Sequence, residues 1–291
     1  MEDLEHKIRI KRFYTRRSFK IIPSYFLVIM ISLFLSVIVH PKFLRSPLTV
    51  ISHFLFFQNY LPRIPILGHT WAIAIEGHFY LIYPLLLHAI CLMIKNPRSR
   101  HTLLLFLLLI LIILGNILRY YFFQLPIASS YPAIWQMTQF RFDALIFGCL
   151  IKLLEPHFKN TRQRQESLYA FLFFICAVLM FIYIALNFNY FTWYHYTLAY
   201  LASGLLIISG LQESPILKRI TENKWIMWIG KNSYGIYLWH LIALYPFKKL
   251  IPHLCLPVLI AGYIATSILI GALSTATIEK YFLNLRKHIA P

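Results

Sequence analysis

HTWAIAIEGHFYLIYP, residues 69–84, is suited to hydrocarbon along most of its length, yet it carries a carboxylate, Glu76, and an imidazole, His78. An isolated charge near the centre of a bilayer costs about 3 kcal/mol on insertion scales. Such a residue persists only where a partner or a watery cavity offsets that cost, so this stretch predicts a helix that crosses a membrane beside something polar.

The composition agrees. Of 291 residues, 59% are hydrophobic and 17% aromatic while 13% are charged, which excludes an ordinary soluble domain and predicts an all-α, polytopic membrane protein. The formal net charge of +18 is not the footprint of a nucleic-acid binder, because the basic residues cluster between apolar runs instead of gathering on one solvated face. Cys91, Cys149, Cys176 and Cys255 lie in or beside apolar runs with no CxxC and no His/Cys spacing suited to zinc, so no metal site is expected. The opening MEDLEHKIRIKRFYTRRSFK leads into a span without the features of a cleaved secretory leader.

A spanning helix needs about 20 apolar residues. Eight runs qualify, near 21–39, 71–94, 102–121, 137–153, 167–187, 194–211, 233–248 and 256–279. A ninth, LTVISHFLFFQNY at 48–60, is short and interrupted by His53 and Gln58. Reading it as a re-entrant or surface helix, with both termini cytoplasmic, puts nineteen Lys and Arg in inner segments against six in outer ones, Arg119 among the six. The predicted organisation is a cytoplasmic basic segment over 1–20, a single membrane domain over 21–283 and a cytoplasmic tail over 284–291.

Among ten acidic residues, Glu76, Asp143 and Glu279 fall inside spans. Glu279 stands next to Lys280 and reads as an anchor at the inner boundary. Glu76 and Asp143 lie at similar depth in the outer half, and Arg141 is the expected partner of Asp143. The pair reads either as a helix-locking ion pair or as part of a polar pocket. Tyr80 shares the face of Glu76 at i+4, whereas His78 points elsewhere. His240 closes SYGIYLWH, residues 233–240, inside another span. Arg12, Arg16, Arg17 and Lys20 form one basic stripe at the cytoplasmic surface, suited to anionic lipid headgroups or to a phosphorylated ligand.

Six segments in order, RFYTRRSFKIIPSYFLV (12–28), FLFFQNY (54–60), HTWAIAIEGHFYLIYPLLL (69–87), QFRFDALIFGCL (139–150), KNSYGIYLWH (231–240) and IEKYFLNL (278–285), together resemble the integral-membrane acyltransferase family three, which includes O-acetyltransferases of cell-surface polysaccharides. The resemblance implies transfer of an acyl group, usually acetyl, from acyl-coenzyme A (acetyl-CoA or another acyl-CoA) to a hydroxyl of an extracytoplasmic or lipid-linked glycan, at a bacterial inner membrane. Arg16, Arg17 and Lys20, with Arg12 beside them, match the family's paired-arginine motif and would hold the coenzyme A phosphates. Glu76 matches the first glutamate of the Glu-Glu-Gln-Phe-Tyr motif, with Gly77 and His78 replacing the next two residues. Arg141 and Asp143 match the Arg-Phe-Asp motif.

On this reading Glu76 orients or accepts, Arg141 stabilises charge, Asp143 fixes Arg141, and Trp71, Tyr80 and His240 line the substrate pocket. The family begins with two further helices, the first bearing an arginine and the histidine usually regarded as the base. The resemblance therefore implies a truncated product, a late-assigned start, or a separate chain supplying those helices. His6 cannot stand in for that base, and His78 is the substitute its position allows. Two other classes stay open: a proton-coupled transporter or flippase, which would use the same charged set, and an inactive remnant of the acyltransferase.

Overall fold

The computed structural model describes residues 9–39, 46–125, 136–158, 163–187, 192–212, 214–250 and 255–289. Glu2, Asp3, Glu5, His6, Lys7, Lys42, Arg45, Lys159, Arg162 and Glu213, used in the topology and base arguments above, lie outside them. The described residues are helical with no strand, in eleven α-helices: α1 Ile10–Val39, α2 Pro47–Phe54, α3 Trp71–Met93, α4 Pro97–Phe123, α5 Phe142–Phe158, α6 Gln163–Leu186, α7 Trp193–Leu211, α8 Pro215–Thr221, α9 Lys224–Leu250, α10 Leu256–Ser274 and α11 Lys280–Ile289. A π-helical turn, Thr275–Glu279, joins the last two.

Eight of these helices coincide with the eight apolar runs, and five are long and apolar enough to cross a membrane. Their outward faces are apolar, as at Met30, Phe34 and Ile38 of α1 and Phe106, Ile110 and Ile113 of α4, all exposed. Such faces match hydrocarbon and establish a polytopic membrane protein. Helix α2 has 8 residues, about 12 Å, and is too short to span about 30 Å of hydrocarbon. In the turn that follows it, Phe56 has a left-handed φ of 60°. Gly77 of α3 accommodates the Phe56 ring, which would lie 3.1 Å from a Cβ placed there.

The chain divides into two compact units. The first comprises 9–80 and 227–291. Tyr25, Val28, Ile29, Ile64, Leu67, Ile73, Leu238 and Trp239 form its core. Buried Tyr25 donates to the His53 carbonyl at 2.8 Å and accepts from Gln58 Nε2 at 2.9 Å, and the same amide donates to the Thr70 carbonyl at 2.9 Å. These bonds satisfy the irregular backbone between α2 and α3. Helices α9 and α10 cross glycine on glycine: a Cβ on Gly235 would come within 2.6 Å of Thr275 Oγ1, and one on Gly271 within 2.8 Å of the Gly235 carbonyl carbon. Small residues let the two backbones approach this closely, the usual device for helix pairs that gain no hydrophobic driving force from lipid.

The second unit, 81–226, holds α4 to α8. Its central polar feature is a buried ion pair between Arg119 of α4 and Asp143 of α5, with side chains 2% and 1% exposed. The salt bridge of Asp143 thus runs to Arg119 and not to the expected Arg141, which stays within electrostatic reach of the carboxylate. Residues two apart on a chain do not face each other on a helix, and Arg141 closes the Thr138–Phe140 turn before α5, where its guanidinium lies 4.6 Å from the Tyr196 ring centre. Arg119, assigned to an outer loop by its place at the end of an apolar run, is instead inside α4 and 2% exposed. It also donates to the Phe140 carbonyl at 3.1 Å and to Asn116 Oδ1 at 3.4 Å. Asn116 in turn receives the Thr197 hydroxyl and donates to Tyr200 at 2.9 Å. Gly115 makes room for Asp143, whose Cβ would lie 3.2 Å from a Cβ on that glycine.

Two predictions follow from these contacts. Gly235→Ala forces α9 and α10 apart and is expected to destabilise the detergent-solubilised protein by about 1–3 kcal/mol, the usual range for overpacking; thermal unfolding unchanged from wild type would refute the crossing. Arg119→Met or Asp143→Leu alone leaves a buried charge without its partner and is expected to cost about 3–5 kcal/mol, whereas the double substitution recovers most of that loss. Single losses that simply add in the double variant would show that the two side chains are not coupled.

Candidate functional site

The first unit brings the basic stripe of α1 against the carboxylate face of α3. Helix α1 starts at Ile10, so the basic stripe belongs to the same continuous helix as the apolar run that follows it. The Arg17 guanidinium lies 4.8 Å from the centre of the Tyr80 ring and 5.6 Å from that of Phe13. Tyr80 donates to Glu76 Oε2 at 3.4 Å, and Glu76 is half-buried within the electrostatic reach of both Arg17 and Lys20. The sequence reading puts the cations at the cytoplasmic surface and Glu76 in the outer half of the membrane; the structure brings them within electrostatic reach of one another. Arg16, Arg17 and Lys20 are exposed at their side of α1, while Arg12 is half-buried.

A second carboxylate completes the cluster. Glu279, read as an anchor beside Lys280, is 4% exposed. It sits in the π-helical turn, accepts from Thr275 Oγ1 at 3.1 Å, and faces Lys20. Consecutive helical residues point about 100° apart, which is why adjacency to Lys280 is not pairing. The phenol of Tyr234 donates to the Ile21 carbonyl at 2.9 Å and feels both Glu76 and Glu279. Two cations, two carboxylates and two phenols therefore share one locus in this unit. Local π-helical geometry is frequent at functional positions, because it turns one side chain out of the regular ladder.

His240 lies in α9 next to a residue that the sequence reading passed over. His69, in the turn before α3, stacks edge-on against the His240 ring with centres 4.7 Å apart. Its Nε2 meets the Leu238 carbonyl at 3.1 Å, and its own carbonyl accepts the Tyr237 hydroxyl. Burial, with His240 beside it, lowers the His69 pKa to about 3, so the ring stays neutral at physiological pH.

The other expected site residues have surroundings of their own. His78 is turned from the Glu76 face, among Phe57 and Tyr60, with ring centres at 5.3 and 6.2 Å, and bonds to the Phe56 backbone. Trp71 opens α3 and is half-buried. Arg141 and Asp143 belong to the second unit, where Asp143 is held by Arg119. The polar residues that the sequence reading passed over are Arg119, His69 and Tyr237, and Glu279 was read there only as an anchor. Arg119 had a signal in the polar GNILR step within the apolar run of 102–121; His69 had none beyond its place at the start of a matching motif.

Comparison with known proteins follows the same lines. Residues 3–277 match a family model described as an acyltransferase domain. The chain is 26% identical over 256 residues to the peptidoglycan O-acetyltransferase OatA of Listeria monocytogenes, a match covering 80% of this chain and 40% of that protein. It is 25% identical over 254 residues to the O-acetyltransferase OatA of Staphylococcus aureus, covering 80% of this chain and 41% of that one. The chain thus spans about two fifths of the length of these relatives. No solved structure matches. With the family model covering nearly the whole chain, and with its polar cluster carried by the segments that match the family's motifs, this protein belongs to the integral-membrane acyltransferase family.

Proposed function

We propose that this chain transfers an acyl group, acetyl in the first instance, from acyl-coenzyme A to a hydroxyl of peptidoglycan or of another cell-envelope glycan, in a bacterial inner membrane with both termini cytoplasmic. The observation that carries the reading is the meeting of Arg17 and Lys20 with Glu76 and Glu279 inside a helical membrane unit. Exposed guanidinium and ammonium groups suit the diphosphate of the donor, and Arg offers the planar fork that phosphate oxygens match. Glu76, held by Tyr80, is placed to orient the acceptor or relay its proton. The relatives' names support a glycan acceptor, since one acts on peptidoglycan and both are O-acetyltransferases. A transporter would use the same intramembrane charges, but family membership and the cationic edge of the site favour group transfer.

In membranes supplied with radiolabelled acetyl-CoA and a soluble peptidoglycan fragment, Arg17→Ala is expected to raise the KM for the donor about 10- to 100-fold, the worth of one or two charge-assisted bonds, with Arg17→Lys intermediate. Glu76→Gln keeps the size and the Tyr80 contact and is expected to lower kcat about 100-fold or more. Labelled acetate that reaches the glycan at the wild-type rate in a well-folded Glu76→Gln protein would remove Glu76 from the mechanism. A wild-type protein that binds acetyl-CoA and labels no glycan would move the acceptor assignment elsewhere.

A further inference from the structure

Helix α11 lies along the basic end of α1, and the contacts of the first unit fix how the two run. Tyr234 of α9 bonds to the Ile21 carbonyl, and Leu238 and Trp239 share a core with Tyr25, Val28 and Ile29, so α9 runs parallel to α1. Helix α10 runs back along α9, with Gly271 against Gly235 and Gly262 against Phe247. Leu256–Ile289 is continuous through the π-helical turn, so α11 is antiparallel to α1, and the two pack together. Lys20 and Glu279 set the register, since they lie within electrostatic reach of each other. Arg286 stands seven residues beyond Glu279, hence on the same face and about 10 Å further along. Seven and eight residues before Lys20 are Phe13 and Arg12. Arg286 is thereby brought level with Arg12. Phe282, Leu283 and Arg286 are the half-buried residues of α11 and share one face, while Lys280, Lys287 and His288 are exposed. Arg12 is half-buried as well, and its enclosed Nε has no hydrogen-bond partner among the described residues. Around α1, Arg17 falls on the flank of Lys20 that meets Tyr80, and Arg12 and Arg16 fall on the other. Neither α1 nor α11 contains an acidic residue. Two half-buried guanidinium groups at one level repel each other, and nothing in either helix offsets that repulsion.

We propose that Arg286 and Arg12 form a subsite for a phosphate monoester, the 3′-phosphate of the coenzyme A donor, beside the place of its diphosphate at Arg17 and Lys20. The inference rests on the acyl-coenzyme A reading above and adds to it a residue just past the last segment that carries the family resemblance, 278–285. Coenzyme A bears phosphate at two places, a diphosphate and a monoester on the ribose. A monoester carries close to two negative charges at neutral pH, with three acceptor oxygens, so it calls for two cations where the singly charged groups of a diphosphate call for one each. Two guanidinium forks meet both its charge and its geometry. Arg12 lies about 12 Å along α1 from Lys20, a separation that long cationic side chains shorten from both ends. The exposed Lys287 faces away from this pair and suits solvent or lipid headgroups. An anionic headgroup offers Arg286 the same phosphate chemistry, and the two sources differ in what removes them.

The test needs no turnover: the full chain in phosphatidylcholine nanodiscs is titrated with coenzyme A and with dephospho-coenzyme A, which lacks only the 3′-phosphate. Wild type is expected to bind coenzyme A about 10- to 100-fold more tightly, the worth of one or two charge-assisted bonds. In Arg286→Gln that preference is expected to fall below about threefold, because the substitution and the missing phosphate remove the same contact, and Arg12→Gln is expected to reduce it likewise. Arg17→Ala weakens both ligands and keeps the preference. Lys287→Gln, which removes the same charge from the exposed side of α11, keeps it too. A preference that survives in Arg286→Gln overturns the subsite. Nanodiscs containing phosphatidic acid test the lipid source: thermal stabilisation by that lipid which Arg286→Gln loses, in a wild-type chain that does not distinguish the two coenzymes, assigns the pair to a headgroup and overturns its role for the donor. A chain that binds both coenzymes equally removes only the subsite and leaves the donor reading standing, whereas a chain that binds neither overturns the donor reading, and the subsite falls with it.

Discussion

The structure of the first unit depends on one constraint: a carboxylate taken out of water needs a cation or a donor within a few ångströms. Glu76 and Glu279 are both withdrawn from solvent, and Lys20 of α1 lies within electrostatic reach of each. This requirement links the position of α1 to those of α3 and the π-helical turn. Helix α1 must bring its basic stripe beside these carboxylates, because withdrawn charges without a cation nearby would stay uncompensated in low dielectric. Pro23 lies within the same helix, so the continuity of α1 across it reflects the packing around it and not local propensity. The glycine crossing of α9 and α10 serves the same end: it brings the π-helical turn close enough to α9 for Tyr234 to feel Glu279.

The second unit answers the constraint differently. Arg119 and Asp143 neutralise one another almost completely out of solvent, and the guanidinium also donates from Nη1 to the Phe140 carbonyl and from Nη2 to Asn116. Asp143 also stands in the first turn of α5, where the helix dipole favours a negative charge, and accepts from the Ala144 N–H at 3.0 Å. A buried pair with this many shared contacts reads first as a brace between α4 and α5. The bland alternative considered for Asp143 from sequence, a helix-locking ion pair, describes this arrangement, with Arg119 as the partner.

The helices were legible because hydrocarbon imposes a length, and apolar runs of that length stand out in a chain that is 59% hydrophobic. Their ends were not. Helix α1 begins eleven residues before its apolar run and α9 nine residues before, since a helix outlasts the part of it that lipid covers. Charge pairing was the least legible feature. The sequence suggested its neighbour Arg141 for Asp143, and for Glu279 only an anchoring place beside Lys280 at the inner boundary. The true partners, Arg119 and Lys20, come from other helices, and nothing local in the sequence marks which span will lie beside which. Tyr80 with Glu76 was legible because i and i+4 share a face.

The departure of this chain from the family's Glu-Glu-Gln-Phe-Tyr pattern has a packing cause. Where the family has a second glutamate, Gly77 leaves space that the Phe56 ring fills, and Phe56 takes a left-handed backbone to get there. Where the family has glutamine, His78 packs against Phe57 and Tyr60 of the same connection. Both substitutions therefore meet the α2 connection and leave Glu76 with its phenol and its cations. The motif has changed where it supports the backbone and kept its chemistry where it meets the basic stripe. That division also accounts for the opposite characters of two residues only two apart: Glu76 belongs to the polar cluster, and His78 to the scaffold that holds α3 in place.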